Sequence, residues 1–389
     1  MDTTVRRVEH LLLQFKTIAD NPSETVKRWK SATNRKVVGC VGLHIPEEII
    51  SAGGMLPIVL LEKDGPIRQA DAHVQNNMCW YIRSIADQAL TGDLNFLDSL
   101  VILDSCHVIR MIGDSLRISA PQISRIDFLS FPVSLQVEAA GKYLTDEMTS
   151  FLTRMEEVAG RSITEQDLSD AIRKHNDNRR LLQKLYSVRR EKPGLLRAVD
   201  VGYIVKASMC MPKEEHSALL AQLLDALQER VPDPLNIGVP IVVSGSLCET
   251  CDDILQTLES SGATIVDDDL FVGSRYFSTL VDEEMRPREA LSYAYFNQTS
   301  PCPTVNRPDR SMGDHLTEMT TTAKAAGVVS IIVKYCEPHY YSYLMVHRKL
   351  RERLIPDYMV EKERDSASNG QIKTRVQAFL EAIEAGEAR

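Results

Sequence analysis

The chain has 389 residues, of which 43% are apolar and 25% charged. That is the composition of a folded protein with two or three domains, and not of a disordered or disulfide-stapled one. A formal net charge of −9 argues against general nucleic-acid binding. It does not exclude phosphate-bearing ligands, which helix N-termini and a few arginines can hold locally.

Met1–Val8 lacks a signal-peptide pattern, and no run of about 18 apolar residues offers a membrane span. A cytoplasmic, reducing location follows as the expectation. The eight cysteines are then expected as thiols or metal ligands.

Residues 1–35 read as an N-terminal helical segment, with a helix over Val8–Ile18. A first α/β domain is expected over 36–136. Its strand Lys36–Val41 leads into H-I-P-E-E-I-I-S-A-G-G, where Pro46 suits a first helical turn and Gly53–Gly54 a stop. A strand at Pro57–Leu61, a helix at Gln75–Ala89 and a strand at Ser99–Leu103 continue a β-α-β rhythm.

Residues 137–235 carry long charged amphipathic patterns and read as a helical connecting region, with Ser162 or Thr164 as a cap. A helix over Glu214–Glu229 stops at V-P-D-P-L. Residues 236–389 then repeat the first design. Strands are expected at Val239–Ser244, Ala263–Val266 and Val328–Lys334, with helices at Asp252–Glu259, Met319–Ala326, Tyr340–Arg353 and Gln371–Glu384. The fold class is therefore α/β: two Rossmann-like, flavodoxin-like parallel-sheet domains plus helical segments, with a cofactor in the cleft between them.

Two apolar strands run into a cysteine, V-I-L-D-S-C at Cys106 and S-I-I-V-K-Y-C at Cys336. Ligands of parallel sheets sit beyond the carboxyl ends of strands, and thiolates suit soft metals. Cys79, on the helix feeding the strand before Cys106, makes a set of three. Three thiolates with an open fourth position fit an iron–sulfur cluster, or zinc with a water. Burial as inert core is the alternative for each.

Cys40 ends the first strand and is a possible fourth ligand. Cys248-x-x-Cys251 has redox or metal spacing but no second pair to complete a four-sulfur site. Cys210 and Cys302 carry no positional argument.

His44 and Glu48, beside Glu47 at a helix start, can handle protons or cap the helix. His339 follows Cys336 by three residues, which suits an outer-layer contact to a metal ligand. Asp267-Asp268-Asp269 either binds a cation or orders its loop, and Arg275, Arg307 and Arg310 are candidates for phosphate or salt-bridge contacts. There is no G-x-x-x-x-G-K-[ST], no G-x-G-x-x-G and no G-x-S-x-G, which removes the P-loop, the nicotinamide fingerprint and the hydrolase elbow.

Six segments in order, H-I-P-E-E-I-I-S-A-G-G-M-L-P (44–57), I-L-D-S-C-H-V-I-R (102–110), V-V-S-G-S-L-C-E (242–249), T-I-V-D-D-D-L (264–270), V-K-Y-C-E-P-H (333–339) and G-Q-I-K-T-R-V-Q-A-F-L-E (370–381), resemble the family of 2-hydroxyacyl-CoA dehydratase D components and ATP-dependent benzoyl-CoA reductases. With C-M-P-K-E-E-H at 210–216, the chain looks most like the smaller, cluster-bearing C-type subunit of a benzoyl-CoA reductase. That resemblance implies one [4Fe–4S] cluster on Cys79, Cys106 and Cys336; His44 and Glu48 as proton-handling groups, and His339 behind Cys336, are the expectations drawn from their local context.

It also implies a homologous larger B-type subunit, ATP-hydrolysing iron–sulfur activator subunits, ferredoxin as electron source and a CoA thioester as substrate. Low-potential electrons would then convert benzoyl-CoA to a cyclic dienoyl-CoA. The alternatives are a beta-type subunit of an (R)-2-hydroxyacyl-CoA dehydratase working through a ketyl radical, and a non-catalytic metal-binding maturation or relay scaffold.

Overall fold

A computed structural model describes residues 3–63, 65–246, 252–307, 309–363 and 369–386. The Cys248–Cys251 pair lies outside them. In chain order the elements are α1 (Thr3–Asp20), α2 (Pro22–Thr33), β1 (Val37–Val41), α3 (Glu47–Ala52), β2 (Leu56–Val59), α4 (Trp80–Leu90), β3 (Ser99–Leu103), α5 (His107–Ser119) and β4 (Ile126–Leu129). A helical run follows: α6 (Ala139–Ala159), α7 (Glu165–Glu191), α8 (Ala198–Ser208) and α9 (Lys213–Gln228). The chain continues with β5 (Val239–Gly245), α10 (Asp252–Ser260), β6 (Ala263–Asp269), α11 (Ser274–Phe277), α12 (Pro287–Asn297), α13 (Met312–Thr322), β7 (Gly327–Val333), α14 (Glu337–Glu352), β8 (Asp357–Lys362) and α15 (Asn369–Glu384).

The strands form two four-stranded parallel sheets with the same order, β2-β1-β3-β4 and β6-β5-β7-β8. This is the flavodoxin-like order, in which the strand sequence reverses between the first and third strands and ligands gather beyond that point. The register sets Val38 beside Ser99 in the first sheet and Ile241 beside Gly327 in the second. The two α/β units expected from sequence are both present.

Each sheet is apolar on both faces because helices cover both, which is why its strands read as continuous hydrophobic runs. Leu100 and Ile102 face α4 and α5, while Val101 and Leu103 face a second layer containing α6 and α7. Ile241, Val243 and Ile331 face α10 and α15, and Val242 and Val328 face α13 and α14. Burying each such side chain stabilises the fold by roughly 1.5–3 kcal/mol.

Between the units, α1, α7, α8 and α9 share a core with Val59 at the end of β2 and with Phe271 and Val272 beyond β6. Thr164 caps α7 through a reciprocal bond with Asp167, as its position before the acidic first turn predicts. Helix α12 packs back on the first unit, with Leu291 and Tyr295 in the core that holds Val101.

Several boundaries differ from the expectations. The helix expected from Gln75 begins at Trp80, because Asn76 and Asn77 belong to a turn closed by Met78 N–H to the Gln75 carbonyl. Helix α13 begins seven residues before Met319, where the Ser311 hydroxyl accepts from Asp314 N–H. Strands β4 and β8 are edges whose short or polar sequences carry weak alternation, so hydrophobic pattern does not reveal them.

Candidate functional site

Beyond its switch point each sheet needs a residue that can turn sharply against the neighbouring strand. Gly42 follows β1 at φ 105°, where an added Cβ would lie 3.0 Å from Leu103 Cβ. Gly245 ends β5 at φ 139°, where a Cβ would lie 1.8 Å from the Ile331 carbonyl oxygen. Only glycine fits either place without rearrangement. The open space left between the two turns is a largely apolar cavity of about 150 Å³, lined by residues of both units.

Cys79, Cys106 and Cys336 all line this cavity. Cys106 stands three residues beyond the end of β3, and Cys336 three beyond the end of β7. Each of the three is also the residue capping a helix N-terminus: Cys79 for α4, Cys106 for α5 and Cys336 for α14. Cys79 therefore sits at the head of its helix instead of inside it.

The consequence is electrostatic. A thiolate at a helix N-terminus meets unpaired N–H groups and the positive end of the helix dipole. The N–H groups of Ile82 near Cys79, of Val108 and Ile109 near Cys106 and of His339 near Cys336 act to lower these thiols, as does the Ser246 hydroxyl at Cys336, although none of the three sulfurs makes a side-chain capping bond. Burial is nevertheless the larger effect. It raises all three thiols, with Cys336 pushed up to about 11, and the charges of neighbouring cysteines add to the rise. The thiols are protonated at neutral pH, and metal binding there displaces protons.

His339 lies where sequence spacing places it. Its Nδ1 is 3.3 Å from Cys336 Sγ and its Nε2 is 3.2 Å from Arg275 Nη1. A guanidinium only donates, so Nε2 accepts and Nδ1 carries the proton directed at sulfur. Burial first, and then Arg275, lower the His339 pKa to about 3, which keeps the ring neutral. Arg275 is itself clamped by two bonds to Asp269, at 2.8 and 2.7 Å.

The acidic triplet orders its loop. Asp267 pairs with Arg190, Asp268 with Arg189 and Asp269 with Arg275. Arg275 is a salt-bridging residue, and Arg307 bonds the carbonyls of Thr299 and Asn297.

His44 lines the cavity with φ 70°, a left-handed conformation tolerated by histidine more than by bulkier residues. Burial, then Arg275 and Arg179, lower its pKa to about 4. Glu48 is fully buried one layer away, 2.6 Å from Arg179 Nη1 and bonded by the Tyr295 hydroxyl. Its neighbour Glu47 pairs with Lys213 at 3.0 Å. Cys40 is fully buried on β1 in the core beside Val101 and is not among the cavity residues. Cys210 is likewise core.

Strand and helix spacing misses Cys302, which lines the cavity with the other three cysteines. Its one local signal is the proline on either side.

Two groups suit a ring of thiols, and they ask for different geometry. Zinc needs sulfurs about 2.3 Å from one point, whereas a four-iron cluster takes its thiolates on separate irons, around a cavity. Among the described residues no three His, Cys, Asp or Glu side chains converge on a single ion position. Soft sulfurs ringing a compact apolar space fit the cluster. The volume is well below the roughly 300–1,000 Å³ of pockets that enclose drug-sized ligands, so the space suits a compact group and not an entire CoA ester.

Among the described residues no helix is long and apolar enough to cross a membrane. The model of the family "2-hydroxyglutaryl-CoA dehydratase, D-component" matches residues 42–383. The chain is 26% identical over 369 residues to the (R)-phenyllactyl-CoA dehydratase beta subunit of Clostridium sporogenes, covering 95% of this chain and 97% of that one. It is 27% identical over 362 residues to the C-type benzoyl-CoA reductase subunit of Thauera aromatica, covering 92% and 93%. To the lactoyl-CoA dehydratase beta subunit of Anaerotignum propionicum it is 27% identical over 379 residues, covering 97% and 100%.

Proposed function

The chain belongs to the 2-hydroxyglutaryl-CoA dehydratase D-component family, and from that premise we propose that it is the smaller, [4Fe–4S]-binding subunit of a heteromeric enzyme that delivers single low-potential electrons to a CoA thioester. The observation that carries this reading is the meeting of Cys79, Cys106 and Cys336, from both α/β units, around one cavity at three helix N-termini.

A [4Fe–4S] cluster bound there supplies a one-electron carrier whose potential follows net charge, hydrogen bonds to sulfur and exposure. Cys79, Cys106 and Cys336 hold it. The N–H groups of Ile82, Val108, Ile109 and His339 offset thiolate charge, while the His339 ring donates to the Cys336 sulfur. The surrounding walls are largely apolar. His44, whose pKa is lowered to about 4 by burial, Arg275 and Arg179, is the proposed proton acceptor at the cavity wall, and Glu48 is the partner of the same Arg179.

The homologous larger subunit, an ATP-hydrolysing iron–sulfur activator and ferredoxin complete the proposed system. Within it, benzoyl-CoA reduction and (R)-2-hydroxyacyl-CoA dehydration are the two branches. The segment C-M-P-K-E-E-H does not separate them, because it is a packing motif: Cys210 is core, Lys213 pairs with Glu47, and His216 bonds Asn178 and the Ile204 carbonyl.

Iron and acid-labile sulfide on the anaerobically purified chain test the cofactor; stoichiometric zinc without sulfide would support the scaffold alternative and sink the proposal. With partner and activator present, sustained reductant consumption on benzoyl-CoA identifies the reductase. Many turnovers per electron on a 2-hydroxyacyl-CoA identify the dehydratase. Turnover of neither class removes the enzymatic reading.

A further inference from the structure

We propose that a proton route runs along α3 through the first unit, from an open bowl at the amino end of its sheet, past His175, to His44 on the wall of the cysteine-lined cavity. The inference rests on the reading of His44 as the proton acceptor there, and adds the source and the path of the proton.

Three cavities in a row define the route. The bowl has a volume of about 510 Å³ and is lined by Arg35, just before β1, and by Leu56, the first residue of β2. The exposed Arg35, Lys174, Glu214 and Glu215 stand on its rim, so bulk water reaches it. A small inner cavity of about 30 Å³ shares His175 and Lys213 with the bowl. It in turn shares Leu43, His44 and Arg275 with the cysteine-lined cavity. A water needs roughly 10–15 Å³ and two to four polar partners. The inner cavity has the room, and Glu47, Lys213 and Tyr276 on its wall offer the partners.

Helix α3 sets the alignment. It follows β1 and returns the chain to the start of the parallel β2, so it runs from the carboxyl end of the sheet back to the amino end. His44 stands just before it and Glu47 is its first residue, both on the inner cavity. Ser51, four residues after Glu47 and on the same helix face, opens into the bowl. The Ser51 hydroxyl oxygen is 2.9 Å from His175 Nε2. Further in, the Tyr276 hydroxyl donates to Glu47 at 3.1 Å and accepts from Lys213 Nζ at 2.6 Å.

His175 and Lys213 form the partition between bowl and inner cavity, and only one of them can pass a proton. A lysine ammonium has three donors and no acceptor, whereas a neutral imidazole has one of each. Burial first, and then the charges of Lys213 and Arg179, keep His175 neutral. Its ring can take a proton on one nitrogen and release one from the other. At every step one O–H or N–H bond forms as another breaks, and no electron travels the route; the electron comes from the low-potential donor. A histidine that only tied α7 to α3 through Ser51 would leave proton movement untouched.

The test uses the full chain, loaded with iron and sulfide and purified anaerobically with its partner subunit, as wild type, His44→Leu, His175→Gln, His175→Leu and Thr304→Val. A europium(II) chelate, a one-electron donor that carries no proton, is mixed with each in weak buffer containing a pH indicator. Absorbance then reads reduction and proton uptake together, in water and in deuterium oxide. The wild type should take up a proton with each electron, and His44→Leu should take up none. His175→Gln keeps an amide to bond Ser51 but has no ring to relay through. Both His175 variants should take up as many protons as the wild type, at about a hundredth of its rate and with a larger isotope effect. Thr304→Val alters the wall that the cysteine-lined cavity shares with the surface cavity around Arg310, and should match the wild type. Circular dichroism and iron content identify any misfolded variant. Should a His175 variant fail to fold, Ser51→Leu closes the bowl side of the same step and should slow uptake likewise.

Uptake at the wild-type rate in His175→Gln or Ser51→Leu, or slowing in Thr304→Val alone, overturns the route and leaves His44 as the acceptor. A wild type that is reduced without taking up protons, or a His44→Leu variant that still takes them up, overturns the His44 reading and the route with it.

Discussion

The two α/β units share strand order, a glycine turn after the first strand and a cysteine three residues after the third, yet they treat that cysteine differently. At Cys106 the next helix offers the N–H groups of Val108 and Ile109. At Cys336 the second helical residue is Pro338, which has no N–H to offer. The missing donor is replaced by side chains, the Ser246 hydroxyl and the His339 ring, where the first unit has Ile109. One unit therefore stabilises its thiolate with backbone alone. The other adds a histidine whose orientation is set by a buried Arg275–Asp269 pair, and this makes the second unit the one able to tune the site.

The largest expected effect tests whether the units are equivalent as ligands. Cys106→Ser and Cys336→Ser should each abolish most cluster uptake, read as iron and sulfide per chain, while Cys210→Ala should leave it intact. Retention in one serine variant alone would break the symmetry, and retention in both would end the assignment.

A second comparison concerns the charges at the strand ends, Asp268 as the last residue but one of β6 and Asp104 just after β3. Asp268→Ala leaves the buried Arg189 without its carboxylate and should cost about 3–5 kcal/mol in urea unfolding. Asp104→Ala, whose partner Arg110 is exposed, should leave the midpoint unchanged. Equal losses would mean that the second unit is not specially dependent on its buried ion pairs.

The layer between the units supplies a pH test. Burial, against a counteracting bond to the Ile204 carbonyl and with the charge of Lys213 adding to it, lowers His216 from its ordinary value near 6.5 to about 3. The unfolded chain binds the proton first, so this stability is fully present above pH 6.5 and falls as pH drops toward 3. The expected loss is a few kcal/mol across that window. His216→Gln should flatten the pH dependence of the urea midpoint, and an unchanged slope would contradict the assignment.

The smallest effect sharpens the contrast between Cys106 and Cys336. His339→Ala removes a hydrogen bond to sulfur and should lower the cluster potential without loss of iron, followed by redox titration of the resonance signal. An unchanged potential would show that the ring orients the loop only.

Much of this is legible in the residues. Apolar runs bounded by glycine mark both switch-point strands, and the recurrence of cysteine after Leu103 and Val333 nominates the site without any contact. His339 is within reach of its spacing to Cys336. Cys302 is not, because its loop belongs to no strand or helix, so periodicity says nothing about where its sulfur points. Glu48 looks available at a helix start, but its pairing with Arg179 comes from α7, a helix distant in sequence.

Local hydrophobic period, turn chemistry and contiguous motifs are enough to specify two parallel α/β units, their strand-end cysteines and the family to which they point. Packing, and nothing in the linear pattern, makes three cysteines helix caps around one cavity, brings Cys302 to join them and keeps Cys40 away. Those outcomes depend on how helices from distant parts of the chain meet and on which side of a strand a sulfur faces, and neither is encoded in spacing.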